Sequence, residues 1–171
     1  EEAEEEPEEE AATAAPEEEA PTSITVRLAD ELLISDPAHM TAGRDYAVAN
    51  LVHSKLIRFK PGTTELVGDL AERWEVSPDG LKYSFWLREG VQWHKGYGEL
   101  TAHDVKYTFE RMMDPDSGSL YYGDFKEIER IEVEDDYTIH LYRKTPFPDF
   151  LRATLAYRPG FIVKKEVIDE V

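Results

Sequence analysis

"AERWEVSPDGLKYSFWLREGVQWHKG", residues 71–96, carries all three tryptophans of the chain, Trp74, Trp86 and Trp93, together with Tyr83 and Phe85. It divides into two strand-like runs, "RWEVS" and "LKYSFWLR", flanking "SPDG". Ser, Pro, Asp and Gly in that order occupy positions that a type I turn favours, so the stretch is expected to fold as a hairpin. Side chains alternate across a strand, which sets Leu81, Tyr83, Phe85 and Leu87 on one face and Lys82, Ser84, Trp86 and Arg88 on the other. The first face is the one expected to be buried.

Downstream, "LTAHDVKYTFERMMDP" (100–115) reads as a helix. Thr101 can cap it, Asp104 stands where it can close a loose capping box, Val105, Phe109 and Met112 form the apolar stripe, and Pro115 ends it. "DSGSLYYGDF" is an aromatic loop or short helix. "IERIEVEDDYTIHLYRK" is a second hairpin, with Ile131 and Val133 facing Ile139 and Leu141 across an Asp135-Asp136 turn. "PFPDFLRATLA" reads as a helix entered through proline, "YRPGFIV" as loop then strand, and "KKEVIDEV" as the start of another helix. Upstream, "ITVRLA" reads as a strand and "ISDPAHMTAGRD" as a loop. A helix is expected from about Arg44 to Ser54, with Ala47, Leu51 and Ser54 or Lys55 at helical intervals, and "LIRFKPGTTELV" returns to strand around a Pro61-Gly62 turn.

Residues 1–22, "EEAEEEPEEEAATAAPEEEAPT", hold eleven Glu, no basic residue and no large apolar side chain. Such a stretch buries too little surface to offset its chain entropy and is expected to be a disordered, self-repelling acidic linker. Its eleven glutamates account for most of the net charge of −18, leaving about −7 on residues 23–171, the expected domain. No Lys/Arg cluster interrupts this acidity, which argues against nucleic acid and against anionic membrane surfaces. The absence of cysteine excludes disulfides, thiolate metal sites and cysteine nucleophiles. No apolar run approaches the ~20 residues of a membrane span, and no signal-peptide pattern is present. A first residue other than Met suggests a processed product, whose acidic tail would space the domain from an anchor upstream.

Of the five histidines, His94 and His103 are the closest pair, and they show neither i, i+4 spacing nor an HExxH pattern. No Gly-x-Ser-x-Gly elbow and no phosphate-binding glycine loop occurs, and paired acids such as Asp135-Asp136 flank turns. Loop residues are the better candidates for binding. Tyr121 and Tyr122 lie beyond a helix end, where core packing and ligand contact both remain open. Arg158, between Tyr157 and Pro159, has a guanidinium fork able to pair a carboxylate, or serves as a plain surface arginine.

Residues 70–115 carry Leu70-Ala71, Trp74, Asp79-Gly80, Tyr83-Phe85-Leu87-Arg88, Val91-Trp93, Lys95-Gly96 and Thr101-Ala102-Asp104-Val105 in order. This series resembles the bacterial family 5 extracellular solute-binding proteins, the peptide-, dipeptide- and nickel-binding components of ABC importers. The resemblance extends to nearly everything after Ser23. Lys95 departs from it by replacing the usual Asp before Gly96, and "YG" lengthens the turn that follows.

The resemblance implies an α/β, periplasmic-binding-protein-like type II architecture, here α+β in the part present: a first-lobe strand plus most of an inserted subdomain with two antiparallel hairpins and flanking helices. It also implies an extracytoplasmic, non-enzymatic, monomeric receptor, tethered from a lipid anchor upstream, that needs no cofactor or metal and hands a peptide or similar small solute to an ABC permease. By resemblance, Met40, Asp45, Tyr46, Tyr121, Tyr122 and Arg158 line the solute cleft, while the tryptophans are structural. Two other classes stand beside this reading: a hydrolase or metal-dependent enzyme using His94, His103 and nearby acids, and an interaction module without ligand.

Overall fold

The computed structural model describes residues 36–170 together with Thr25, Arg27 and Glu31. The expected acidic linker at 1–22 lies outside the described residues, as do four of the six residues of the "ITVRLA" strand. In chain order the elements are α1 (Gly43–Val52), β1 (Ile57–Phe59), β2 (Leu66–Gly68), β3 (Ala71–Val76), β4 (Lys82–Leu87), α2 (Ala102–Met113), α3 (Tyr122–Phe125), β5 (Ile128–Asp135), β6 (Thr138–Arg143) and α4 (Lys165–Asp169). The fold is α+β and all pairing between named strands is antiparallel.

The opening stretch forms the β3–β4 hairpin. Gly80 N–H donates to the Ser77 carbonyl at 2.8 Å, and Asp79 Oδ1 accepts from Leu81 N–H at 3.0 Å. Gly80 has φ +71°, a conformation in which a Cβ would be strained. β4 then pairs with β6, and β6 with β5, giving the order β3-β4-β6-β5. In the second hairpin Ile131 stands opposite Leu141 and Val133 opposite Ile139, the register that the alternation requires.

One sheet face buries Tyr83, Phe85, Leu87, Ile139 and Leu141 in the same core as Val105, Phe109 and Met112 of α2. Phe109 lies 5.2 Å from Phe125 between ring centroids, and Tyr83 meets Phe150 edge-on at 5.0 Å. The other face is polar and aromatic. There the Arg73 guanidinium stacks 3.5 Å above Trp86, and Arg130 stacks 3.6 Å above Tyr142. Cation–π contact and a paired neighbour keep these rings useful on a half-exposed face. Trp86 is thus a scaffold residue, covered by its cross-strand partner.

Asp104 joins segments far apart in the chain. Its carboxylate accepts from the Thr101 amide at 3.0 Å, closing the capping box of α2. It also accepts from Trp93 Nε1 at 3.2 Å and from Lys164 Nζ at 2.9 Å. One turn later the Thr108 hydroxyl accepts from Val163 N–H at 3.1 Å. Both contacts hold residues 163–164 against α2. At the same helix Arg111 grips Asp36 through both oxygens, and Asp36 also accepts from Ala38 N–H at 3.0 Å. Burial alone raises the Asp36 carboxyl, but the bonds from Arg111 and Ala38 outweigh it and hold the group below the usual carboxylate range.

Three expectations need correction. The buried side of α1 is Asp45, Tyr46 and Ala49, whereas Leu51 is 63% exposed, so the Ala47/Leu51 stripe is the wrong face; the helix also ends at Val52. The proline-entered helix is a single π-helical segment, Phe150–Leu155, in which Ala156 N–H donates to the Leu151 carbonyl at 2.8 Å. Residues 157–163 form no strand; Arg158–Gly160 is a 3₁₀ turn, followed by a lone bridge between Phe161 and Lys55. Gly160 decides that geometry, because a Cβ there would sit 1.9 Å from the Leu155 carbonyl oxygen.

Three outcomes are expected in urea or acid unfolding of the complete protein. Asp104→Ala leaves Lys164 without its close carboxylate and Trp93 Nε1 without its acceptor, and costs about 3 kcal/mol. Lys95 is the single non-glycine at positive φ among the described residues, at 56°, so Lys95→Asn stabilises by roughly 0.5 kcal/mol, Asn entering that region more readily. Because the folded-state pKa of Asp36 is depressed, its contribution is present above the unfolded pKa and is lost as pH falls through the folded one; Asp36→Asn flattens that acid limb.

Candidate functional site

The loop after Asp36, the start of α1, the aromatic loop and the 158–160 turn are distant in sequence. The fold brings them together around one carbonyl. The Met40 oxygen accepts from the Tyr46 hydroxyl and, at 3.0 Å, from the Tyr121 hydroxyl. Leu120 N–H donates to the Ala38 carbonyl at 3.0 Å, which pins the aromatic loop beside the 36–40 segment. Met40, Tyr46, Ala49 and Phe161 form a small second core with Tyr121 against it.

This cluster makes the floor of a pocket of about 410 Å³, whose lining includes Tyr46, Asn50, Lys55, Arg58, Arg158 and Phe161. Arg158 is exposed, and its guanidinium lies 4.6 Å above the Tyr46 ring and 5.5 Å from that of Tyr157. Burial raises the Tyr46 phenol above its ordinary value, with Arg158 acting in the opposite sense. Lys55 is 8% exposed, with Nζ 3.2 Å from Asn50 Oδ1 and 4.3 Å above the Phe161 ring. Burial pushes its ammonium below the ordinary lysine range, partly opposed by Asp69.

The six nominated side chains therefore occupy different layers. Arg158 and Tyr46 line the pocket. Met40 at 3% exposure and Tyr121 stand beneath it as support, since the Met40 carbonyl engages both phenols. Asp45 is buried on α1, with Oδ1 3.9 Å from Arg44 Nε. Tyr122, 37% exposed at the start of α3, belongs to neither the cluster nor the pocket lining. Lys55, Asn50 and Phe161 were not singled out from sequence. The signal for Lys55 was its place inside the apolar run "LVHSKLIRF", where a fully solvated lysine is out of keeping.

His94 and His103 stand in different surroundings. His103 is exposed and 3.8 Å from Asp136, while His94 lies on the wall of a second groove of about 790 Å³ with Trp93, Val163 and Ile168. Among the described residues no group of three or more His, Cys, Asp or Glu side chains gathers into a metal site. No helix of the described residues is long and apolar enough to cross a membrane.

Residues 65–170 match the family model described as "Bacterial extracellular solute-binding proteins, family 5 Middle". The chain is 39% identical over 148 residues to di/tripeptide-binding protein 2 of Pseudomonas aeruginosa (strain UCBPP-PA14), covering 77% of this chain and 28% of that relative. Among solved structures it is similar to the periplasmic binding protein DppA of Helicobacter pylori in complex with the peptide STSA, with a TM-score of 0.71, 37% identity and coverage of 80% of this chain and 30% of that one. NikZ of Campylobacter jejuni in complex with Ni(L-His) gives a TM-score of 0.71 at 33% identity, covering 82% of this chain and 27% of NikZ. The chain thus spans less than a third of the length of these relatives. The match of residues 65–170 to the family model and the 39% identity over 77% of the chain lead to one conclusion: the chain belongs to the family 5 bacterial extracellular solute-binding proteins.

Proposed function

We propose that the complete protein is the extracytoplasmic receptor of an ABC importer, capturing peptides or related small solutes and delivering them to the permease without catalysing a reaction. The observation that carries this is the pocket beside Arg158, where two of the segments that the family resemblance nominates for solute contact, the start of α1 with Tyr46 and the Arg158 turn, meet Lys55 and Arg58. The names of relatives, among them a di/tripeptide-binding protein and a receptor solved with a peptide, favour peptides as the first solute class to try.

In this reading residues 23–171 are the N-terminal part of the solute-binding domain and residues 1–22 a tether between it and an anchor upstream. The described pocket forms one wall of the cleft, and a second lobe closes over the solute. Binding energy then shifts the population toward the closed form that the permease accepts, which requires contacts made better in that form than in the open one. Arg158 supplies the exposed charge on the near wall, Tyr46 holds its guanidinium by stacking, and the Met40 carbonyl holds Tyr46 and Tyr121. Such a receptor works as a monomer.

Thermal unfolding of the complete protein against di-, tri- and oligopeptides, sugars and Ni(L-His) tests this. A solute at a hundred times its Kd stabilises by about 2.7 kcal/mol. Stabilisation by peptides is the expected result; stabilisation by another class with none from any peptide overturns the choice of solute. Arg158→Ala is expected to weaken the stabilising solute about tenfold, by loss of a charge-assisted hydrogen bond, with the unliganded melting temperature unchanged because the side chain is exposed.

A further inference from the structure

The 410 Å³ pocket is lined by the cations Lys55, Arg58 and Arg158 and by no carboxylate. That is the reverse of the chain as a whole, whose net charge is −18. Arg58 is partly neutralised, its Nε lying 3.7 Å from Asp69 Oδ1. Lys55 and Arg158 have no carboxylate within ion-pair distance among the described residues.

Lys55 is the informative member. Its ammonium is removed from water and its direct contacts are neutral, with Asn50 Oδ1 at 3.2 Å, the Ala156 carbonyl at 3.5 Å and the face of Phe161 at 4.3 Å, while Asp69 acts on it only from beyond ion-pair distance. The Asn50 orientation is set independently, because its Nδ2 donates to the Tyr46 carbonyl at 2.7 Å and so turns Oδ1 toward the lysine. A lysine ammonium has three donors, and the described residues accept from it at two places, one of them long. A buried charge without a counter-charge is costly unless something supplies one. Burial accordingly lowers the affinity of Lys55 for its proton, and a bound anion would restore it.

We infer that Lys55 is a ligand-contacting residue, which together with Arg158 receives a carboxylate of the bound solute at this pocket. The inference rests on the receptor reading above and narrows it: the solute presents an acid group to this wall, either a peptide C-terminus or an acidic side chain. Lys55 contributes a desolvated point charge at the base of the pocket, and Arg158 a fork at its rim that can pair the same carboxylate from solvent.

Calorimetric titration of the complete protein with Ala-Ala, Ala-Ala-amide and Ala-Glu-amide tests it. The wild type is expected to bind at least one free acid about tenfold or more tighter than Ala-Ala-amide, the scale of a hydrogen bond to a charged group. Preference for Ala-Ala identifies the C-terminus as the source of the carboxylate, and preference for Ala-Glu-amide the side chain. Lys55→Met is expected to reduce that acid-to-amide ratio by about tenfold, and Lys55→Arg to retain most of it. If Lys55 only ties α1 to residue 156, Lys55→Met lowers the melting temperature and leaves the ratio unchanged, which overturns the inference. Should Lys55→Met not fold, an unchanged ratio in Arg158→Met together with equal binding of acid and amide by the wild type overturns it as well. Equal affinity for all three peptides defeats the inference while leaving peptide capture standing; no binding of any of them by the wild type defeats both.

Discussion

A single carboxylate, that of Asp104, ties the scaffold to the segment that carries the pocket. It caps α2, receives the indole of Trp93 from the end of the hairpin region, and pairs with Lys164 just beyond the Arg158 turn. At 5% exposure it is removed from water, so each of these donors replaces hydration that burial took away. Thr108, one turn along the same helix, adds a hydroxyl bridge to Val163. α2 is therefore both the partner of the sheet and the post on which residues 161–164 are hung.

The division between sheet and pocket follows from this. The sheet is held by alternation and by the α2 stripe, with Phe85, Ile139, Leu141, Val105 and Phe109 fully enclosed. The pocket draws on α1, β1 and the 156–161 segment, and Tyr46 and Phe161 of its lining belong to a separate small cluster with Met40 and Ala49. Substitutions that alter the charge pattern at Lys55, Arg58 and Arg158 touch neither face of the sheet. This separation gives a physical basis for one scaffold serving relatives whose names carry such different solutes as STSA and Ni(L-His).

Both hairpins and α2 were legible in the sequence because each depends on contacts close along the chain: turn residues at set positions, period-two alternation and a capping pair three residues apart. The candidate site was legible only in part. Tyr46 and Tyr121 could be nominated, yet their shared acceptor at Met40 depends on a meeting of residues about 80 apart. Lys55 escaped notice because its burial is created by Ala156 and Phe161, a hundred residues further on. The face of α1 was misread for a related reason. Leu51 and Val52 look like core residues by type, but the neighbours present on the other side are Phe161 and Met40, and Val52 instead lines the wide groove.

Gly160 has an effect that reaches Arg158. With the Leu155 carbonyl pressed against the place of a Cβ, and Pro159 fixing the backbone between it and Arg158, the turn has few other conformations to visit. The backbone that carries the Arg158 guanidinium is consequently preset, so the ordering cost of any ion pair made there falls on the exposed side chain. An anion pairing with that guanidinium needs no rearrangement of the turn itself, so the local field at Arg158 acts from a fixed backbone position.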